Sequence, residues 1–199
     1  LSNPVRYTDP FGDIQEDGNG GFKKKNVGPP KKYRGRGGKP GGTMQEIEVY
    51  GDDGSPIKAY ERVGGYPGFT TNCHGCTFGK AKIWIDNDQV DPLLEADGYR
   101  KRDLTCPTDL PKIGDAYVFR NKKTGEAEHS TTVTEVDPIT GEVTKVKGLG
   151  GTEVKQKETP PDKAWPLNPD AKREVHEPPP KPPGTNSGPP DIFSGWEIS

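Results

Sequence analysis

Apolar and polar residues alternate with period two along several stretches of this chain, the mark of half-buried β-strands. The clearest are MQEIEVY at 44–50 and IKAYERV at 57–63, separated by GDDGSP, which predicts a strand–turn–strand hairpin. KIWID at 82–86 reads as a further strand. AYVFRN, HSTTVTEVD and GEVTKVKGL follow at 116–121, 129–137 and 141–149, joined by the turn-rich NKKTGEAE and DPITGE, and predict an antiparallel meander. The alternation gives way to helix in two places. TNCHGCTF, after the glycine-rich GGYPGFT, predicts a short helix from Cys73 with Asn72 as its cap. DQVDPLLEADGY predicts another, with Asp88 or Asp91 as cap, Pro92 in the first turn and Gly98 at the stop. The expected fold class is α+β, short helices packed on a small antiparallel sheet.

Composition restricts where that fold can lie. Of 199 residues, 28% are hydrophobic, glycine is frequent throughout, and most of the 22 prolines lie in 26–42 and 159–190. Residues 22–39 hold eight basic and no acidic residues, with glycine and proline placed so that no strand or helical face is expected. The expected organisation is a junction at 1–21, a basic Gly/Pro-rich linker at 22–42, a folded domain at 43–158, and an extended or disordered proline-rich tail at 159–199 onto which Trp165 and Trp196 could dock. The formal net charge of −2 supplies no general pull toward nucleic acid or an anionic membrane. No apolar run is long enough to span a bilayer, and no stretch with a charged start and apolar centre reads as a signal peptide. The chain begins with Leu1 rather than Met, so a fragment of a longer protein is expected.

Three cysteines leave at least one thiol outside any internal disulfide. A thiol attacks well only as thiolate, which a helix N-terminus or a cationic neighbour favours. Cys73 meets the first condition if Asn72 caps its helix, and the open N–H groups of Asn72 and His74 could hold an oxyanion. Gly75 would leave room for substrate to approach the backbone. Of the three histidines, His74 should point away from Cys73, and His176 lies in the proline-rich tail. His129 opens a predicted strand and is the best-placed base. Two other readings stay open. In one, Cys73 is an inert buried thiol; in the other, Cys73, Cys76 and Cys106 with His74 or His129 form a Cys3His zinc site in a non-enzymatic binding module whose basic arm contacts nucleic acid. Asp86, Asp88 and Asp91 resemble a calcium loop only loosely, lacking its glycine and terminal glutamate. Trp84 reads as core, and Gly114–Asp115 as a turn into a strand.

NCHG at 72–75, IGDAYVFR at 113–120 and HSTTVTEVD at 129–137 resemble, in order, the blocks of papain-like hydrolases of the NlpC/P60 and CHAP type. The resemblance covers about 70–150 and implies a papain-like NlpC/P60-type fold without a cofactor. It implies Cys73 as nucleophile, His129 as general base and acid, and a third residue on the next strand that orients the imidazole. That strand departs from the family pattern, offering Thr144, Thr152 and Glu153 and no His, Asn or Gln; Glu153 is taken as the candidate. The implied activity is a cysteine amidase or peptidase, first on peptidoglycan amides, with a protein-directed protease or glutamine deamidase as the alternative.

NPVRYTDPFG at 3–12 resembles the N-P-x-x-Y-x-D-P-x-G motif that closes the core of Rhs proteins. In that family the motif separates a delivery cage from a variable toxin, and its self-cleavage involves an aspartate, which Asp9 matches. Asp13 stands where the family has Leu, a departure that bears on cleavage there. The resemblance implies that 13–199 is a secreted effector delivered into a target cell. The partners it implies are the Rhs cage, secretion machinery, an immunity protein and an amide-containing substrate, with no nucleic acid or membrane among them.

Overall fold

A computed structural model describes residues 14–18, 21–33, 42–64, 71–149 and 156–180. Its first part is a sheet built around the predicted hairpin. β1 (Lys24–Asn26) and β2 (Lys31–Tyr33) both pair with β3 (Gly42–Tyr50), which pairs antiparallel with β4 (Pro56–Gly64). The expectation that 22–39 forms no strand is corrected here. Two three-residue pieces find their hydrogen bonds on the open edge of β3, and a long partner strand overrides weak local propensity.

α1 (Cys73–Phe78) follows, then β5 (Trp84–Ile85), which adds to β4. α2 (Val90–Ala96) is entered through a 3-10 turn at Asn87–Gln89, without a side-chain cap. Neither Asp88 nor Asp91 caps it as expected: Asp91 accepts from the Arg120 guanidinium, a stronger, charge-assisted bond. Gly98, at φ 71°, ends the helix in the left-handed region as anticipated.

The second sheet is antiparallel throughout. It comprises β6 (Arg100–Lys101), β7 (Ala116–Arg120), β8 (Ala127–Val136), β9 (Val143–Gly148) and β10 (Lys157–Thr159), then, after the single turn α3 (Pro161–Ala164), β11 (Lys172–Glu177). Its order is β10-β9-β8-β7-β11-β6, so β11 lies between β7 and β6. The segment 159–177, expected as part of an extended or disordered tail, is therefore structural. REVHE alternates poorly as a sequence, because Glu174 meets charged partners, Arg120 and Lys101 on other strands of the sheet, rather than core.

One core lies between the two sheets, combining Ile47, Val49, Ile57, Ala59 and Ile85 with Phe78 of α1, Leu93 of α2, and Ala116 and Val118 of β7; Ile14 and Phe22 belong to it. A second covers the opposite face of the second sheet, with Phe119, Val133, Val146 and Val175 packed by Ala164 and Trp165. The molecule is broadly α+β: mostly antiparallel sheet with few, short helices. Among the described residues no helix is long and apolar enough to cross a membrane.

Candidate active site

Asn72 holds the start of α1 as the sequence predicts. Its Oδ1 accepts from the Gly75 N–H at 2.9 Å and from the Ile85 N–H at 3.2 Å, and its Nδ2 donates to the Ile85 carbonyl at 2.6 Å. One side chain thus caps the helix and ties it to β5. Thr71 adds a 2.7 Å bond to the Ile83 carbonyl. Gly75 serves this same contact. A Cβ built there would lie 1.8 Å from the Ile83 carbonyl oxygen, so the space expected for substrate is filled by backbone, and only glycine permits the approach.

α1 is pinned to the second sheet from its other side. His74 Nδ1 lies 2.9 Å from Ser130 Oγ and its Nε2 3.1 Å from Asn87 Oδ1, while Ser130 Oγ lies 3.0 Å from Thr77 Oγ1. His74 and Ser130 are both fully buried. Burial drives the His74 pKa down to about 4, so the ring is neutral in this network. The Ser–His–Asn string resembles a catalytic array but is sealed in the core. It is a bolt between helix and strand.

The bolt sets Cys73 against β8. The backbone N–H groups of Ser130 and His74 favour the thiolate of half-buried Cys73. Desolvation outweighs them and raises the thiol to about 11, so Cys73 rests as a neutral thiol. His129, the residue before Ser130, projects from the opposite face of β8, as the period of two requires. It does not open the strand, as expected; it is the third residue of β8, 1% exposed rather than presented at a rim. Ala127 and Glu128 reach back across the bulge at Phe119/Arg120 and extend the pairing, which is why the strand starts earlier. The Trp165 indole is stacked on the His129 ring at 4.6 Å and 8°, and Phe119 lies at 5.3 Å and 48°. Burial, and secondarily the neighbouring His74, push the His129 pKa down to about 3. Among the described residues neither ring nitrogen has a hydrogen-bond partner.

The structure therefore brings Cys73 to the peptide joining His129 and Ser130, with no hydrogen bond between thiol and imidazole in the resting arrangement. Glu153 and Thr152 lie outside the described residues, as do 1–13 with the Asp9 motif, and Trp196. Thr144 donates to Glu135 at 2.8 Å on the surface. Cys76 is held near Thr71 and Gln156, and Cys106 bonds Thr108 at 3.2 Å. All three thiols are free, and among the described residues no group of three His, Cys, Asp or Glu side chains gathers as metal ligands. The contact that sequence reasoning underweighted is Trp165, whose only signal was a tryptophan in an otherwise polar, proline-rich stretch. Comparison with known protein families, curated proteins and solved structures found no match to this chain.

Proposed function

We propose that the chain is a cysteine hydrolase with a papain-like, NlpC/P60-type domain, acting on amide bonds by acyl transfer through Cys73 and His129. The observation that carries this reading is the buried His129 ring, whose two nitrogens have no partner among the described residues, next in sequence to Ser130, whose backbone N–H favours the Cys73 thiolate. A buried, unsatisfied polar group costs about 1–3 kcal/mol and calls for a reason to be kept. A base that must accept a proton on demand is such a reason.

The neutral resting pair selects a particular mechanism. Cys73 is not a preformed thiolate. As its sulfur attacks the carbonyl carbon, the thiol proton passes to the His129 imidazole, which must first leave its stack on Trp165 and turn toward the sulfur, and the oxyanion develops against backbone N–H groups near the start of α1. His129 then returns the proton to the departing amine, leaving a thioester. Water, deprotonated by the same imidazole, releases the acid and restores the thiol. Catalytic hydrogen bonds are commonly long or unmade without substrate and tighten when it binds.

The resemblances of the N-terminal motif and the hydrolase blocks complete the proposal: an Rhs effector domain delivered into a target cell, acting on peptidoglycan amides and countered by an immunity protein. The test is toxicity on expression in the cytoplasm and in the periplasm, comparing wild type with folded Cys73→Ala and His129→Gln variants. Loss in both variants, confined to periplasmic expression, is expected. Full toxicity in either folded variant would reject the assignment.

A further inference from the structure

We propose that Cys73 and Cys76 are a reversible redox couple that closes to a disulfide within the first turn of α1, a property independent of the hydrolase reading. The two cysteines stand three apart in a regular turn. The Cys76 N–H donates to the Asn72 carbonyl at 2.8 Å, and the Thr77 hydroxyl to the Cys73 carbonyl at 3.0 Å. Residues three apart on an α-helix have Cα atoms about 5 Å apart and side chains on one face. A disulfide spans about 4.4–6.8 Å between Cα atoms. The Cβ atoms of such a pair, about 5–6 Å apart, must approach by roughly 1–2 Å to close the bond. Cys73 can supply that movement, because the first residue of a helix has no intrahelical bond at its N–H. Nothing between the two cysteines intervenes: His74 is turned to Ser130 and Asn87, and Gly75 has no side chain.

The thiols share an environment as well as a face. Helical side chains tilt toward the N-terminus, and the Thr71 hydroxyl, five residues back, favours the Cys76 thiolate. A charge on Cys76 in turn disfavours ionisation of Cys73, as a close neighbour does. Both thiols are free and half-buried, within reach of a small molecule, while Cys106 bonds Thr108 elsewhere in the chain. The oxidant is a low-molecular-weight disulfide. One protein thiolate attacks a sulfur of that disulfide, giving a mixed disulfide and one released thiol, and the second protein thiolate displaces the other half. Two protein thiols become one S–S bond, one small disulfide becomes two thiols, and both protons pass to the leaving groups. Burial raises both protein thiols, so closure at neutral pH is slow, unlike that of a Cys-x-x-Cys catalyst whose first thiol is lowered. Closure withdraws the Cys73 sulfur from acyl transfer; a chain delivered as the dithiol can act before it closes.

The test incubates the full chain at about pH 8 with reduced and oxidised glutathione, then quenches with acid, alkylates with N-ethylmaleimide and digests with trypsin. Residues 63–80 form one tryptic peptide that holds Cys73 and Cys76 and no other cysteine. As oxidised glutathione is raised, this peptide should lose two hydrogens and take up no alkyl group. The internal bond should exceed glutathione adducts on the same peptide by about tenfold or more, because the second thiol is already in place. Dithiothreitol should restore both alkylation sites, and Cys73→Ser or Cys76→Ser should abolish the bond. Two alkylation sites persisting in the wild type after Cys106 has taken up glutathione overturn the couple. Glutathione adducts in place of the bond, or a bond from either cysteine to Cys106, overturn it as well. So does closure seen only in concentrated urea, since the unfolded chain rather than the helical turn would then be what closes. Failure of the couple leaves the hydrolase reading standing, and closure would survive the failure of that reading.

Discussion

His74 Nδ1 meets Ser130 Oγ at 2.9 Å in the core, fastening the helix that begins at Cys73 to the strand that carries His129. The two residues one position away from the proposed reacting pair are thus the ones that hold the pair's elements together. Ser130→Ala should leave a buried imidazole nitrogen without a partner, and remove the contact with Thr77. The expected loss is about 1–3 kcal/mol in urea unfolding. A change below a few tenths would mean that the network contributes nothing.

Acid should weaken the fold before carboxylates are protonated. His74 and His129 have pKa values lowered by burial to about 4 and about 3, below the ordinary value of about 6.5 in an unfolded chain. Below about pH 6.5 the unfolded state then binds more protons, and stability falls with pH until the folded-state values are reached. Between about pH 6.5 and 4.5 each ring contributes a loss on the order of 2–3 kcal/mol. Unfolding free energies measured across that window should slope accordingly, and His129→Gln should flatten the slope. An unchanged slope in that variant would contradict the burial of a neutral ring.

Thiol reactivity should invert the usual association of nucleophile with fast labelling. The Cys106 thiol is lowered by the Thr108 hydroxyl and backbone N–H, whereas desolvation raises Cys73 to about 11. In substrate-free protein Cys106 should be alkylated first, with Cys73 accelerating only as pH rises well above 8. Cys73 labelling ahead of Cys106 at neutral pH would indicate a resident thiolate, and with it a different mechanism.

Gly75→Ala should be among the costliest small changes in the chain. The new methyl would meet the Ile83 carbonyl, and neither backbone can yield without moving α1 from β5. Overpacking of this kind costs about 1–3 kcal/mol. It should also shift Cys73, visible as an altered Cys73 alkylation rate. A variant as stable as wild type would show that the helix start is looser than the Asn72 bonds imply.

Ending the chain after Glu158 should abolish folding. β11 supplies Val175 to the second core, and Glu174, whose carboxylate hydrogen bonds with Lys101, Arg120 and Lys172 hold at about pKa 2 against desolvation. Without it Arg120 would lose its buried partner, and β7 would become an open edge. Circular dichroism and a melting curve would decide; a cooperative transition in the truncated chain would show that 43–158 suffices.

What the amino-acid sequence determined by itself was local. Alternation in 44–50, 57–63 and 129–137 has period two whatever the chain packs against, and Asn72 caps the next turn through atoms three residues away. Cys73 could therefore be placed at a helix start, and the meander strands in order. Tertiary structure decided the rest, because it depends on partners distant in sequence. Lys31–Tyr33 became a strand only by meeting β3, and Lys172–Glu177 only by entering between β7 and β6. His129 was buried only because Trp165, 36 residues later, came down on its ring. The pattern of a strand tells which residues share a face; what covers that face, and so whether an imidazole is wet or dry, charged or neutral, is settled by the three-dimensional packing.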